Sequence, residues 1–142
     1  MTRFQNRLYQ FGLFLGDFLF FILSVYLAYA LRNNNFSPDF AAIKQLTVVL
    51  SPVFAFIALS YFIGTLYEVP SILTTISRVK IILRLHVVAL LFGFAVFYIF
   101  PVGLTPKITL IIFLTIYTLL QLAWRVYVSH RMRTKKKKRA LL

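Results

Sequence analysis

The stretch ITLIIFLTIYTLLQLAWRVY, residues 108–127, is followed past Val128-Ser129-His130 by Arg131-Met132-Arg133-Thr134-Lys135-Lys136-Lys137-Lys138-Arg139. The first part matches the roughly 20 mostly apolar residues that an α-helix needs to cross a hydrocarbon core about 30 Å thick. The second part is a block of cations, and basic residues beside a membrane helix are retained on the cytoplasmic side. Together they read as a membrane span whose C-terminal end faces the cytoplasm.

Working back from that span, three more runs have the same character: residues 8–31, 46–67 and 81–100. Across all 142 residues, 61% are hydrophobic and only 13% charged, too little polar surface for a soluble domain of this length. A soluble helical bundle would show a polar stripe on each helix, whereas these runs are apolar on every face. The first run is too long for a signal peptide and lacks a small-residue cleavage site, so it is expected to be retained. The expected fold is therefore an all-α integral membrane protein, a bundle of four transmembrane helices. Residues 1–130 form the membrane domain, and residues 131–142 form a polybasic linker.

The charges orient the bundle. Arg3 and Arg7 precede the first span, Arg78, Lys80 and Arg84 lie between or just inside the second and third, and seven more cations follow the fourth. The opposite side receives Arg32, Lys44 and Lys107. Both termini are expected in the cytoplasm.

Loop chemistry supports the count of spans. Residues 33–39 are a polar turn containing the breaker cluster Ser37-Pro38-Asp39. Residues 101–106 are short enough to force the third and fourth spans into an antiparallel hairpin. Thr105 suits the N-cap of the fourth span, with Pro106 at its first helical position. Pro52 lies inside the second span and predicts a kink, because a helix loses a backbone bond at proline. Val69-Pro70-Ser71 ends one helix and starts another that runs into the third span. From residue 71 to 100 that is about 45 Å of helix, more than a bilayer requires. Ile72, Leu73, Ile76 and Val79 recur at helical spacing, which suits an interfacial helix between spans two and three. The plainer alternative is a third span that extends into the cytosol.

Chemistry-bearing residues are few. There is no cysteine, so there is neither a disulfide framework nor a thiol nucleophile, and two histidines cannot by themselves build a metal site. Asp17 most needs an explanation, because a carboxylate in hydrocarbon must be paired or protonated. His86, early in span three, and Arg125, late in span four, fall at comparable depth and are its candidate partners. One reading makes these residues an interhelical polar clamp. The other makes them, with Arg84, a site for a lipid phosphate or sugar-phosphate headgroup. Arg78, Lys80 and Arg84 are the candidate lipid-phosphate contacts at the inner end of span three.

The tail cations Arg131, Arg133, Lys135, Lys136, Lys137, Lys138 and Arg139 are expected on anionic lipid, where each contributes roughly 1 kcal/mol. Nucleic acid is a weaker partner, since no aromatic residue interleaves the run. Whether the bundle forms a homo-oligomer is left open.

The layout resembles the N-terminal membrane region of the polyprenyl-phosphate glycosylphosphotransferases, bacterial sugar transferases that start surface-polysaccharide assembly on a lipid carrier. The residues that carry the resemblance are Gly16-Asp17-Phe18-Leu19 and Ala28-Tyr29-Ala30-Leu31-Arg32 in span one, and Gly64-Thr65-Leu66-Tyr67 closing span two. Thr105-Pro106-Lys107-Ile108-Thr109-Leu110 and Trp124-Arg125 open and end span four, and Lys138-Arg139-Ala140-Leu141-Leu142 resembles the first strand of a following cytosolic domain. The resemblance implies a multi-pass protein of the bacterial cytoplasmic membrane. It also implies transfer of a hexose-1-phosphate from a nucleotide sugar to polyprenyl phosphate, assisted by magnesium. Its catalytic residues would lie in a cytosolic catalytic domain of the same polypeptide and none in this chain. The expected role is anchoring and positioning, with no cofactor held by the bundle itself. Two alternatives are a small four-span flippase-like carrier of a sugar-lipid pathway and the membrane region of a nucleotide-sugar dehydratase.

Overall fold

Inside a bilayer the backbone finds no water, so an isolated apolar run must satisfy its own N–H and C=O groups and becomes helical. The computed structural model describes residues 3–37, 39–64, 66–67, 75–99 and 106–140. They form four helices, α1 (Arg3–Asn33), α2 (Phe40–Ile63), α3 (Thr75–Ile99) and α4 (Pro106–Ala140), and no strand occurs among the described residues. Each helix contains a segment long and apolar enough to cross a membrane: Arg7–Asn33, Phe40–Ile63, Ile76–Ile99 and Lys107–Arg131. The chain has the architecture of a multi-pass membrane protein.

Local chemistry explains where the helices end. α1 closes with Asn34 in the left-handed region at φ 47°, a conformation asparagine tolerates, and the Asn35 N–H returns to the Ala30 carbonyl at 3.2 Å. α2 starts at Phe40, earlier than the hydrophobic run suggests, because Asp39 caps it. One Asp39 carboxylate oxygen accepts from the N–H of Ala41 at 3.1 Å and of Ala42 at 3.3 Å. Pro52 is accommodated within α2. Proline cannot donate to the carbonyl four residues back, that of Val48, and the Ser51 hydroxyl donates to it instead at 2.7 Å.

Two further boundaries differ from the sequence expectation. Span two was expected to run to Tyr67, but α2 stops at Ile63. The Gly64 N–H bonds the Ser60 carbonyl at 2.8 Å and the Leu66 N–H bonds that of Tyr61 at 3.1 Å, so the chain curls back and buries Leu66 and Tyr67. Span four was expected to end at Tyr127, but the helix continues beyond it. α4 remains helical through Ala140, including the positions Lys138 to Ala140 expected to open a strand. The reason is local: lysine, arginine and alanine are good helix formers, no Gly or Pro interrupts them, and cations favour the C-terminal end of the helix dipole. α3 is one unbroken helix from Thr75. The proposed interfacial segment before it, with Ile72 and Leu73, lies outside the described residues, as does the capping role given to Thr105.

Side-chain contacts show the helices alternating in direction, each packed on its chain neighbours, with α1 and α4 closing the ring. Phe21 meets Phe54 of α2 and Phe113 of α4, Phe56 stacks on Phe92, and His86 meets Tyr117. The buried residues follow helical periodicity, for example Leu46, Leu50, Val53, Ile57 and Tyr61 on α2. α1 and α4 approach most extensively, and Gly16 is where they touch. A Cβ there would lie 2.8 Å from the Trp124 Nε1, so only glycine lets the indole pack against α1.

Candidate functional site

Tyr117, Gln121 and Arg125 recur every fourth residue along α4 and therefore share one face. That face looks at Asp17 on α1, whose side chain is fully buried. The Arg125 Nη2 donates to Asp17 Oδ2 at 3.0 Å, the Tyr67 hydroxyl donates to the same oxygen at 2.7 Å, and the Gln121 Nε2 donates to Oδ1 at 2.7 Å. The charge-assisted bonds and the apposed guanidinium are what allow a carboxylate to remain in a water-poor interior.

The surrounding groups hold those donors in place. Gln121 also donates to the Tyr117 hydroxyl at 2.9 Å, while its carbonyl accepts from Arg125 Nε at 3.1 Å. Arg125 Nη1 donates to the Leu66 carbonyl at 2.8 Å. This last bond ties α4 to the turn that follows α2. The guanidinium carbon lies 4.4 Å from the ring centre of Tyr61 and 5.3 Å from that of Tyr67, so two aromatic faces add cation–π attraction.

Of the two partners left open for Asp17, the structure brings Arg125 to it and leaves His86 apart. His86 on α3 is buried, donates Nδ1–H to the Ile82 carbonyl at 2.8 Å, and lies within 3.5 Å of the Tyr61 hydroxyl. It joins the assembly through aromatic neighbours rather than through the carboxylate, with ring centres 5.9 Å from Tyr61 and 5.7 Å from Tyr117. The cluster thus draws on all four helices, with the Asp17–Arg125 pair at its centre.

The expected headgroup site does not assemble from Arg84. Arg84 and Lys80 are exposed on α3, away from Asp17. Arg78 does approach Arg125: together with Tyr9 and Ser129 they line a cavity of about 20 Å³ near the N-terminal end of α1. That volume accommodates about one water molecule, not a sugar phosphate. In the polybasic run, Arg131 packs 5.5 Å from the Tyr127 ring. The side chains of Arg133, Lys135, Lys136, Lys137, Lys138 and Arg139 lie outside the described residues.

Gln121, Tyr61 and Tyr117 belong to the site but were not singled out in the sequence, and Tyr67 was named only as the end of the stretch closing span two. Gln121 carried a usable signal, being an amide inside an apolar span one helical turn from Arg125. The tyrosines did not, because membrane proteins place tyrosine at lipid interfaces as well. Among the described residues no group of three His, Asp or Glu converges as a metal site. The arrangement is suited to holding helices in register, since both carboxylate oxygens of Asp17 accept from donors of this chain.

Compared with protein-family models, with curated proteins and with solved structures, the chain finds no match in any of the three.

Proposed function

We propose that this chain is the membrane-anchoring and positioning domain of a sugar-1-phosphate transferase that loads a polyprenyl-phosphate carrier in surface-polysaccharide biosynthesis. In this reading the bundle sits in a bacterial cytoplasmic membrane with both termini in the cytoplasm. The observation that carries it is the continuity of α4, which leaves its membrane-crossing segment at Arg131 and stays helical to Ala140. Those nine further residues add about 14 Å of rigid rod beyond the crossing segment. A rod continuous with the bundle transmits orientation, whereas a flexible linker would only tether. Its cations, with Arg3, Arg7, Arg78, Lys80 and Arg84, gather at one end of the molecule, where anionic headgroups hold it at a set depth.

The closed polar cluster agrees with an anchor better than with a carrier. A carrier would line one cavity with Asp17, Arg84, His86 and Arg125, but Arg84 is exposed and Arg125 and His86 border different cavities. The catalytic groups would belong to a cytosolic domain of the same polypeptide, held by α4 at the plane of the lipid phosphates.

Two measurements test the proposal. The chain is free of cysteine, so single cysteines placed at Arg3 and Lys136 can be labelled without background. Both are expected to react only from the cytoplasmic side, and labelling from opposite sides would overturn the topology. The chain alone, incubated with nucleotide sugar and polyprenyl phosphate, is expected to release no nucleotide. Turnover there would overturn the anchoring role.

A further inference from the structure

On the opposite face of α1 from the Trp124 contact, α1 and α2 stand apart between residues 7–14 and 55–62, although they pack through Phe18, Phe21 and Phe54 further along. They leave a groove of about 580 Å³, within the range of ligand-sized clefts. Its walls are mostly apolar: α1 supplies Phe11 and Phe14, α2 supplies Ala55, Ala58, Leu59 and Phe62, and Tyr67 adds its ring after the end of α2. The two alanines lie about one helical turn apart, and their short side chains leave the space facing Phe11 and Phe14 unfilled.

One end of the groove is different. Arg7 and Gln10 line it there, and the antiparallel packing places Arg7 and Phe62 together at the end where the other cations gather. From Arg7 to Phe14 the groove descends about 10 Å into the apolar segment. Among the described residues its lining contains one cation, Arg7, and no carboxylate. The groove between α3 and α4 makes a useful contrast, because its 310 Å³ are lined by His86, Thr115 and Thr118 among aliphatic residues, with no Lys or Arg among the described residues.

We propose that the α1–α2 groove binds one anionic phospholipid, with an acyl chain against Ala55 and Ala58 and the phosphate on Arg7. The charge at the rim selects an anionic headgroup, and the depth and apolar walls select a hydrocarbon chain rather than a helix, which needs a cleft about 10 Å wide along its whole length. The site depends on the membrane-spanning reading of the helices but not on the transferase assignment.

The test is lipid retention by the purified full chain, measured by native mass spectrometry during titration with palmitoyl-oleoyl phosphatidylglycerol or the matching phosphatidylcholine. One phosphatidylglycerol is expected to bind in preference to phosphatidylcholine. Arg7→Gln is expected to weaken it about five- to tenfold, the effect of losing one cation–phosphate contact. Ala58→Phe, which fills the groove, is expected to remove the tight site for either lipid. Lys44→Gln, an exposed cation of α2 outside the groove, is expected to change nothing. Equal weakening by Arg7→Gln and Lys44→Gln would show diffuse charge attraction and overturn the site, and so would phosphatidylcholine binding as tightly as phosphatidylglycerol. Undiminished binding to folded Ala58→Phe would overturn the placement of the chain. The nucleotide-release assay is indifferent to all of these results.

Discussion

The two halves of the bundle are held together by different physics. Toward the cationic end, Asp17, Gln121 and Arg125 bond to one another and to Tyr67 and Leu66. Toward the other end, α1, α2 and α4 meet through the ring contacts of Phe21, Phe54 and Phe113, and Gly93 admits the side chains of Leu110 and Val53. A side-chain bond between helices there joins Arg32 to Thr109. Lipid tails are as apolar as leucine, so packing alone distinguishes the correct helix register from its neighbours only through shape. A buried ion pair distinguishes it by penalty, because a shifted register leaves a charge unpaired. The polar half sets the register, and the apolar half fills it.

That contrast can be broken most forcefully at the ion pair. Asp17→Ala or Arg125→Ala alone leaves a buried opposite charge and is expected to destabilise the bundle by about 3 kcal/mol, read by unfolding in mixed micelles. The conservative cycle of Asp17→Asn and Arg125→Gln, singly and together, is expected to show a coupling of about 1–3 kcal/mol, and fully additive losses would sink the pairing. His86→Phe is expected to show no comparable coupling to Asp17→Asn, since His86 bonds elsewhere.

Steric tests sharpen the comparison at the next level. Gly16→Ala places a methyl 2.8 Å from the Trp124 Nε1 and 3.1 Å from its Cε2, atoms of a rigid ring. Gly93→Ala meets the Leu110 Cδ2 at the same 2.8 Å, but that atom is the end of a flexible side chain. Overpacking at Gly16 is expected to cost about 2 kcal/mol and at Gly93 about 1 kcal/mol. Equal losses would show that ring rigidity is not what limits the α1–α4 approach.

The smaller effects are single hydrogen bonds. Tyr67→Phe removes one of three donors from Asp17 and is expected to cost about 1 kcal/mol, in line with interhelical bonds in membranes. Asp39→Ala, at the start of α2, removes a cap exposed at the opposite end and is expected to cost about 0.5–1 kcal/mol, without altering the coupling between Asp17 and Arg125. A loss larger than that of Tyr67→Phe would reverse the ranking of the two halves.

Much of the fold was legible from composition, because hydrocarbon imposes one rule on every run that crosses it. The helix ends were less legible. Asp39 extends α2 forward and Gly64 ends it early through bonds that a hydropathy average does not register. α4 continues past Tyr127 because helix propensity, not hydrophobicity, governs the chain once it leaves the lipid. Within the site, Asp17 and Arg125 stood out as charges in apolar runs, and a charge in lipid always demands a partner.

By itself the chain of residues determined that there are four apolar helices, that cations crowd one end, and that Asp17 must be neutralised from within. Only the tertiary structure decided that Arg125 and not His86 reaches it, that Gln121, Tyr67 and the Leu66 carbonyl complete the set, and that α1 and α2 leave a groove. The reason is that a membrane helix is apolar on its lipid face and its core face alike, so periodicity does not say which side turns inward, and only packing against the other three helices selects it.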